Sequence, residues 1–163
     1  MNAIELLKAD HARVKALFRQ CEGAGEQHAQ RRELAEQIFT ALEVHATLEE
    51  ELFYPALRGR LGQETTGKDI EDDETDDGEE DLVAETLEEH QEVKALIAAL
   101  RAMDPGDAQF QAKFAELREA VEEHVGMEED ELMPDAVAAL GGEFERLGRE
   151  MEERKTQLMA GKS

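Results

Sequence analysis

The chain has 163 residues, enough for one domain with a buried core. It carries 41 Asp and Glu against 18 Lys and Arg, a formal net charge of −23, which excludes the clustered cations that a nucleic-acid or anionic-membrane partner needs. Cys21 is the lone cysteine, so no internal disulfide can form. The N-terminus lacks a basic, apolar leader and no apolar run nears the roughly 20 residues that span a bilayer, so the expected compartment is the cytoplasm.

Ala, Leu, Glu, Gln and Arg dominate the composition and prolines are few, which favours an all-α protein. A first helix is expected over about 2–22, with Ile4, Leu7, His11, Val14 and Phe18 on one face. Gly23 and Gly25 break it. A second, over about 30–57, places Leu34, Ile38, Ala41, His45, Leu48 and Leu52 together. Residues 62–81 then hold eleven acidic side chains against one lysine; such a stretch buries no apolar surface and reads as a mobile, solvated loop. Its Asp73-x-Thr75-x-Asp77-Gly78 has the opening of a calcium loop, but Ala84 stands where the bidentate glutamate belongs.

A third helix, about 81–103, aligns Val83, Leu87, His90, Val93, Ile97 and Leu100. After the Pro105-Gly106 break, a fourth over about 107–139 aligns Phe110, Phe114, Leu117, Val121, His124, Glu128 and Leu132. Gly141-Gly142 precedes a tail helix, about 143–159, bearing Phe144, Leu147, Met151 and Leu158, which is expected to pack across the bundle end.

The halves repeat. His11-Ala-Arg-Val-Lys-Ala-Leu17 returns as His90-Gln-Glu-Val-Lys-Ala-Leu96, and the segment from His45 through Glu49 to Pro55 returns from His124 through Glu128 to Pro134. Both motifs share an offset of 79 residues, so they belong to one duplicated unit. The expectation is a single domain over 1–163: an antiparallel up-down-up-down four-helix bundle made from a duplicated helical hairpin, plus a short C-terminal helix. Repeat one covers 1–61, the acidic loop 62–81, repeat two 82–140 and the C-terminal helix 143–159.

His11, His45, His90 and His124 each interrupt an apolar stripe. A single histidine in that setting is more often a core residue bonded to a backbone carbonyl. Four at matching depth on four helices are different, because Glu49 and Glu128 each follow a histidine by one turn and point to the same spot. An ionised carboxylate buried there costs several kcal/mol unless a cation compensates it. Bound metal removes that cost, and imidazole with carboxylate suits iron, manganese or zinc. Six ligands divide two-fold, His11 with His45 and His90 with His124, while Glu49 and Glu128 bridge two ions and leave open positions for a small molecule.

The remaining candidates read as structural. His28 faces solvent before the second helix, Cys21 is a partly buried thiol, and Tyr54, half a turn round from His45, packs without ligating. The runs at 49–51 and 128–131 read mostly as solvated faces beyond their first members. Thr86, Lys15 and Lys94 lie close enough to stand behind the ligands.

This pattern, His then His-x-x-x-Glu, twice, resembles the hemerythrin-like family, often called the HHE cation-binding domain, over residues 4 to about 134. The resemblance implies a non-haem di-iron centre with two carboxylate bridges. The family's oxygen carriers have a fifth histidine one turn from another on the third helix; here those positions are Thr86 and Lys94, which disfavours simple oxygen carriage. The ferritin-like alternative needs Glu-x-x-His, but Leu42, Leu87 and Val121 occupy those places.

The function expected is a protein holding two iron ions, ahead of manganese or zinc, that binds or senses dioxygen or nitric oxide or handles iron. The alternatives are a di-iron enzyme acting on peroxide, and an acidic interaction module with a structural metal.

Overall fold

A computed structural model describes residues 1–25, 27–58 and 77–161. Every regular element among them is helical. Helix α1 spans Ala3–Gly23 and begins at Asn2, whose side chain accepts from the Glu5 N–H while Glu5 accepts from the Asn2 N–H, a reciprocal cap for two otherwise orphaned donors. Gly25 turns the chain at φ +58°, where a Cβ would be strained, and α2 runs over His28–Leu48. Helix α3 spans Asp77–Arg101 and α4 spans Ala108–Met127, the latter capped by the Asp107 carboxylate on the Gln109 N–H at 2.9 Å. Helix α5 covers Met133–Leu140, and α6 covers Phe144–Ala160.

Two interruptions matter for function. After α2, residues Glu49–Phe53 form a π-turn before α-helix resumes at 54–58, and after α4, Glu128–Leu132 do the same before α5. The two π-turns share the 79-residue offset, and each starts at the glutamate of a His-x-x-x-Glu pair. Single-turn π insertions often accompany functional sites, because the extra residue re-aims the side chains that follow.

The acidic segment partly departs from expectation. Residues 77–81 belong to α3, which therefore starts four residues before the position that its apolar stripe marks. The mobile-loop expectation for the preceding residues falls outside the described residues.

Among the described residues, buried side chains form two apolar clusters. One, at the end of the bundle holding the α1 N-terminus, gathers Leu6, Leu7, Leu48, Phe53, Leu132 and Leu140. The other, toward the Gly25 and Pro105 turns, gathers Val14, Phe18, Ile38, Ile97, Phe114 and Leu117. Each fully buried side chain of this size contributes about 1.5–3 kcal/mol, so together they outweigh the several kcal/mol that buried carboxylates cost. On α1, Asp10 and His11 lie between Leu7 and Val14; the polar layer thus sits between the two clusters.

Helix α6 covers the first end through Phe144, Leu147 and Met151, then continues beside α1 and α2 as far as Asp10. Gly148 permits this approach: a Cβ there would stand 2.7–2.8 Å from backbone atoms of Asn2 and overlap the Met1 carbonyl. None of the described helices is long and apolar enough to cross a membrane.

Candidate metal centre

All six predicted residues meet in that layer, and all are buried. His45 Nε2 lies 2.9 Å from Glu49 Oε1, and His124 Nε2 lies 2.9 Å from Glu128 Oε2, each across one helical turn. His90 Nε2 stands 3.4 Å from Glu49 Oε1, and His11 Nε2 3.5 Å from Glu128 Oε1. The imidazoles pair as their spacing predicts: ring centroids are 4.8 Å apart for His11 with His45 and 4.8 Å for His90 with His124. Ligand-type atoms of His45, Glu49, His124 and Glu128 all lie within 4.8 Å of one another.

His11 Nε2 and His45 Nε2 lie within hydrogen-bond distance at 3.2 Å, but for three atoms of the centre close approach is not hydrogen bonding. Glu49 Oε1, Glu128 Oε1 and His124 Nε2 are buried atoms with no hydrogen bond of acceptable geometry, despite neighbours at 2.9–3.7 Å. Buried polar atoms without partners are rare and costly. Lone pairs that converge on a common volume without bonding one another are the arrangement that a cation satisfies. The donor set, neutral imidazole and carboxylate, fits a divalent metal.

The outer nitrogens explain why the inner ones point inward. Asp10 lies 3.2 Å from His45 Nδ1, Glu89 2.9 Å from His124 Nδ1, Glu50 3.4 Å from His90 Nδ1 and Glu129 3.4 Å from His11 Nδ1. An ionised carboxylate only accepts, so each Nδ1 carries a proton, and Nε2 is left as the nitrogen that can turn a lone pair to the centre once its own proton is displaced. Asp10 and Glu89 are 79 residues apart, as are Glu50 and Glu129; the duplication extends to these partners. For Glu50 and Glu129, both partly buried against a histidine, this corrects the solvated-face expectation. Lys94 braces Glu50 at 3.2 Å.

Without a metal, protons take its place. Burial opposes charge on His45, but Glu49, with Asp10 and Glu128, outweighs it and holds the imidazole up at about 10. The same opposition is overcome at His124 by Glu128, Glu49 and Glu89, which push it up to about 12. Burial likewise works against an ionised Glu49, and His45, followed by His124 and His90, holds its carboxyl well below the ordinary range.

Tyr54 departs most from expectation. Its hydroxyl donates to Glu49 Oε2 at 3.0 Å, lies 3.4 Å from Glu128 Oε2 and 3.4 Å from His90 Nε2, and its ring stacks on His90 at 5.7 Å. Uninterrupted α-helix would turn this side chain away. The π-turn instead bonds the Tyr54 N–H to the Glu49 carbonyl, i to i+5, and so stacks Tyr54 over Glu49. Burial, then the charges of Glu49 and Glu128, drive the phenol far above its ordinary pKa and keep it neutral. Thr86, one turn from His90, donates to the Val83 carbonyl at 2.7 Å, while the phenol is the group that stacks on His90. Glu-Glu-Glu-Leu-Phe-Tyr after His45 held the clue, but a π-turn leaves no residue signature that marks it.

On the opposite side, a cavity of about 30 Å³ borders all four imidazoles; Asp10, Glu43 and Lys94 also line it, and the rest of its wall is apolar, Val14, Val93, Ile97 and Val121 among them. One water needs about 10–15 Å³ by this measure, so the space suits a diatomic molecule or peroxide and nothing much larger. His28 is exposed, as predicted, and Cys21 is fully buried, its thiol pushed up by burial, which leaves it inert.

Fold and site together define a helical bundle with a buried histidine–glutamate cluster able to bind metal. The family profile described as Hemerythrin HHE cation binding domain matches residues 2–136 and again 81–158, and the chain belongs to that family. A crystal structure of a hemerythrin HHE cation-binding-domain protein from Mycobacterium kansasii, homologous to Rv2633c, superposes with a TM-score of 0.78 at 23% identity, covering 99% of this chain and 89% of that one. Uncharacterized proteins of Mycobacterium tuberculosis and Mycobacterium bovis are 28% identical over 160 residues, which is 97% of this chain and 88% of theirs. A protein of Nostoc sp. named DNA nickase is 26% identical over 163 residues; this chain spans 40% of its length.

Proposed function

We propose that the chain is a non-haem di-iron protein whose centre binds or senses a small ligand such as dioxygen or nitric oxide. His11 with His45 would hold one ion and His90 with His124 the other, with Glu49 and Glu128 shared between them. The observation that carries this reading is the set of partnerless buried atoms, Glu49 Oε1, Glu128 Oε1 and His124 Nε2, aimed into one volume. When bound, a pair of irons supplies open coordination positions and redox chemistry. The chain's own residues orient the imidazoles through four outer carboxylates, exclude bulk water with an apolar cavity, and hold a proton at the Tyr54 oxygen. The short connections at Gly25 and Pro105-Gly106 support an up-down-up-down order for the long helices, and the lone Cys21 suits a reducing compartment such as the cytoplasm.

Loading the metal-free protein with ferrous iron under nitrogen and then admitting air tests this. The expected result is uptake of iron and new near-ultraviolet and visible absorption on oxidation; no iron uptake, or zinc alone with no spectral change, contradicts it.

One observation favours a second reading, breakdown of peroxide. The Tyr54 hydroxyl, within 3.4 Å of the Glu49 and Glu128 carboxylates, adds a hydrogen-bond donor to a centre otherwise built of imidazole and carboxylate, although burial and both carboxylates hold its proton firmly. Catalytic loss of peroxide that vanishes in His90→Ala and slows in Tyr54→Phe would favour it over simple binding. The nickase activity named for the Nostoc relative is not carried over, because this chain spans 40% of that protein and its charge of −23 repels a phosphate backbone.

A further inference from the structure

The two halves of the centre repeat down to their outer carboxylates, and one support lies outside the repeat. Asp10 uses its two oxygens differently: Oδ2 faces His45 Nδ1 at 3.2 Å, while Oδ1 receives the Lys155 ammonium at 2.5 Å. Lys155 belongs to α6, which follows both duplicated segments. Its position is firm. One turn earlier Met151 is fully buried, Gly148 packs directly on Met1 and Asn2, and the neighbouring Arg154 clasps Glu51 through both oxygens at 2.8 and 3.2 Å. Asp10 itself is 8% exposed, so this carboxylate has little water to turn to if a partner leaves.

We propose that Lys155 is a positioning residue for the metal centre: through Asp10 it fixes the His45 imidazole, so that the C-terminal helix sets the geometry of one metal position and makes the two positions inequivalent. The proposal rests on the di-metal reading above. The mechanism is steric and electrostatic. A carboxylate held at Oδ1 by a cation cannot rotate about its own side chain, so Oδ2 stays aligned with Nδ1, and the ring torsion of His45 is set before any ion arrives. Glu89, the repeat counterpart of Asp10, faces His124 from within the duplicated unit itself. Outer partners of this kind are worth about 10–100-fold in metal affinity.

Cobalt(II) is the probe, because it takes imidazole and carboxylate ligands and gives hyperfine-shifted proton resonances for each ligating histidine N–H. Full-length protein is stripped of metal, titrated with cobalt against a competing chelator, and compared with Lys155→Met, Lys155→Arg and Arg154→Met. The last variant loosens the same turn of α6 without touching Asp10. In Lys155→Met one of two cobalt ions should bind about 10–100-fold more weakly, and a single N–H resonance should shift or broaden through exchange with water. Lys155→Arg should restore most of both effects, and Arg154→Met, which removes one anchor of α6 but keeps the Lys155–Asp10 contact, should show a clearly smaller loss. Identical behaviour of Lys155→Met and the parent protein would overturn the proposal, as would equal losses in Arg154→Met or a uniform shift of all four resonances. A parent protein that binds no cobalt would instead remove the metal reading itself, a result recognisable before any variant is made.

Discussion

The Tyr54 hydroxyl meets Glu49 Oε2 at 3.0 Å, and the backbone bond from the Tyr54 N–H to the Glu49 carbonyl is what brings the two together. One inserted residue therefore converts a packing position into a fourth wall of the site. At the repeat counterpart, the Met133 N–H bonds the Glu128 carbonyl in the same way, but the side chain is a thioether that supplies no comparable donor. The two halves of the centre share backbone geometry and differ in chemistry, with the phenol on the side of His90.

Tyr54→Phe keeps the ring and removes only the donor. A hydrogen bond to a charged acceptor is worth about 1.5–3 kcal/mol, so the metal-free variant should lose stability of that order in urea unfolding with an unchanged slope. In the iron-loaded variant the absorption spectrum should shift, since the Glu49 carboxylate loses its hydrogen-bond partner. An unchanged stability and spectrum would show that the contact carries no energy.

The pH dependence of stability should differ in sign between metal-free and loaded protein. In the metal-free state the raised imidazoles of His45, about 10, and His124, about 12, contribute stability that is complete below their unfolded value near 6.5 and is lost as pH rises through those folded values. The depressed Glu49 carboxyl contributes above about 4.5 and fails as pH falls further. Melting temperature of the metal-free protein should thus decline from pH 6.5 to 10. Metal binding displaces the same protons, so the gain in melting temperature on loading should grow over that range, and proton release should accompany uptake. Parallel curves for the two forms would contradict this.

Ligand substitutions separate the site from the rest of the histidines. His45→Ala should remove at least one ion from the loaded protein, whereas His28→Ala, at an exposed position, should retain full metal content by elemental analysis. Equal metal content in both variants would place the ions elsewhere.

Gly148→Ala introduces a methyl group where the Met1 and Asn2 backbone already stands. Overpacking of this kind costs about 1–3 kcal/mol, and the expected outcome is a protein less stable by that amount with α6 more accessible to protease. Resistance equal to that of the parent chain would mean that α6 tolerates the added volume.

Much of this was legible in the chain. The apolar stripes gave the helices within a few residues, and the shared 79-residue offset picked out His11, His45, Glu49, His90, His124 and Glu128, which the fold brings together. What escaped depends on local backbone that side-chain spacing does not encode. Helical periodicity assumes 3.6 residues per turn throughout, and the π-turn just past Glu49 violates it, which is why the spacing puts Tyr54 on the wrong face; Glu50 and Glu129 escape because a run of acidic residues does not reveal which member meets a histidine. Lys155 was invisible for another reason: its contact with Asp10 spans 145 positions and depends on how α6 packs, through Gly148 on Asn2, buried Met151 and the Arg154–Glu51 pair.

The central claim is that one buried cluster holds two ions bridged by two glutamates. Native mass spectrometry of the iron-loaded chain tests it most directly. The mass should correspond to two irons per chain, and the Glu49→Gln, Glu128→Gln double variant should retain none or one. A parent chain carrying fewer than two irons, or a double variant that keeps both, would contradict the account.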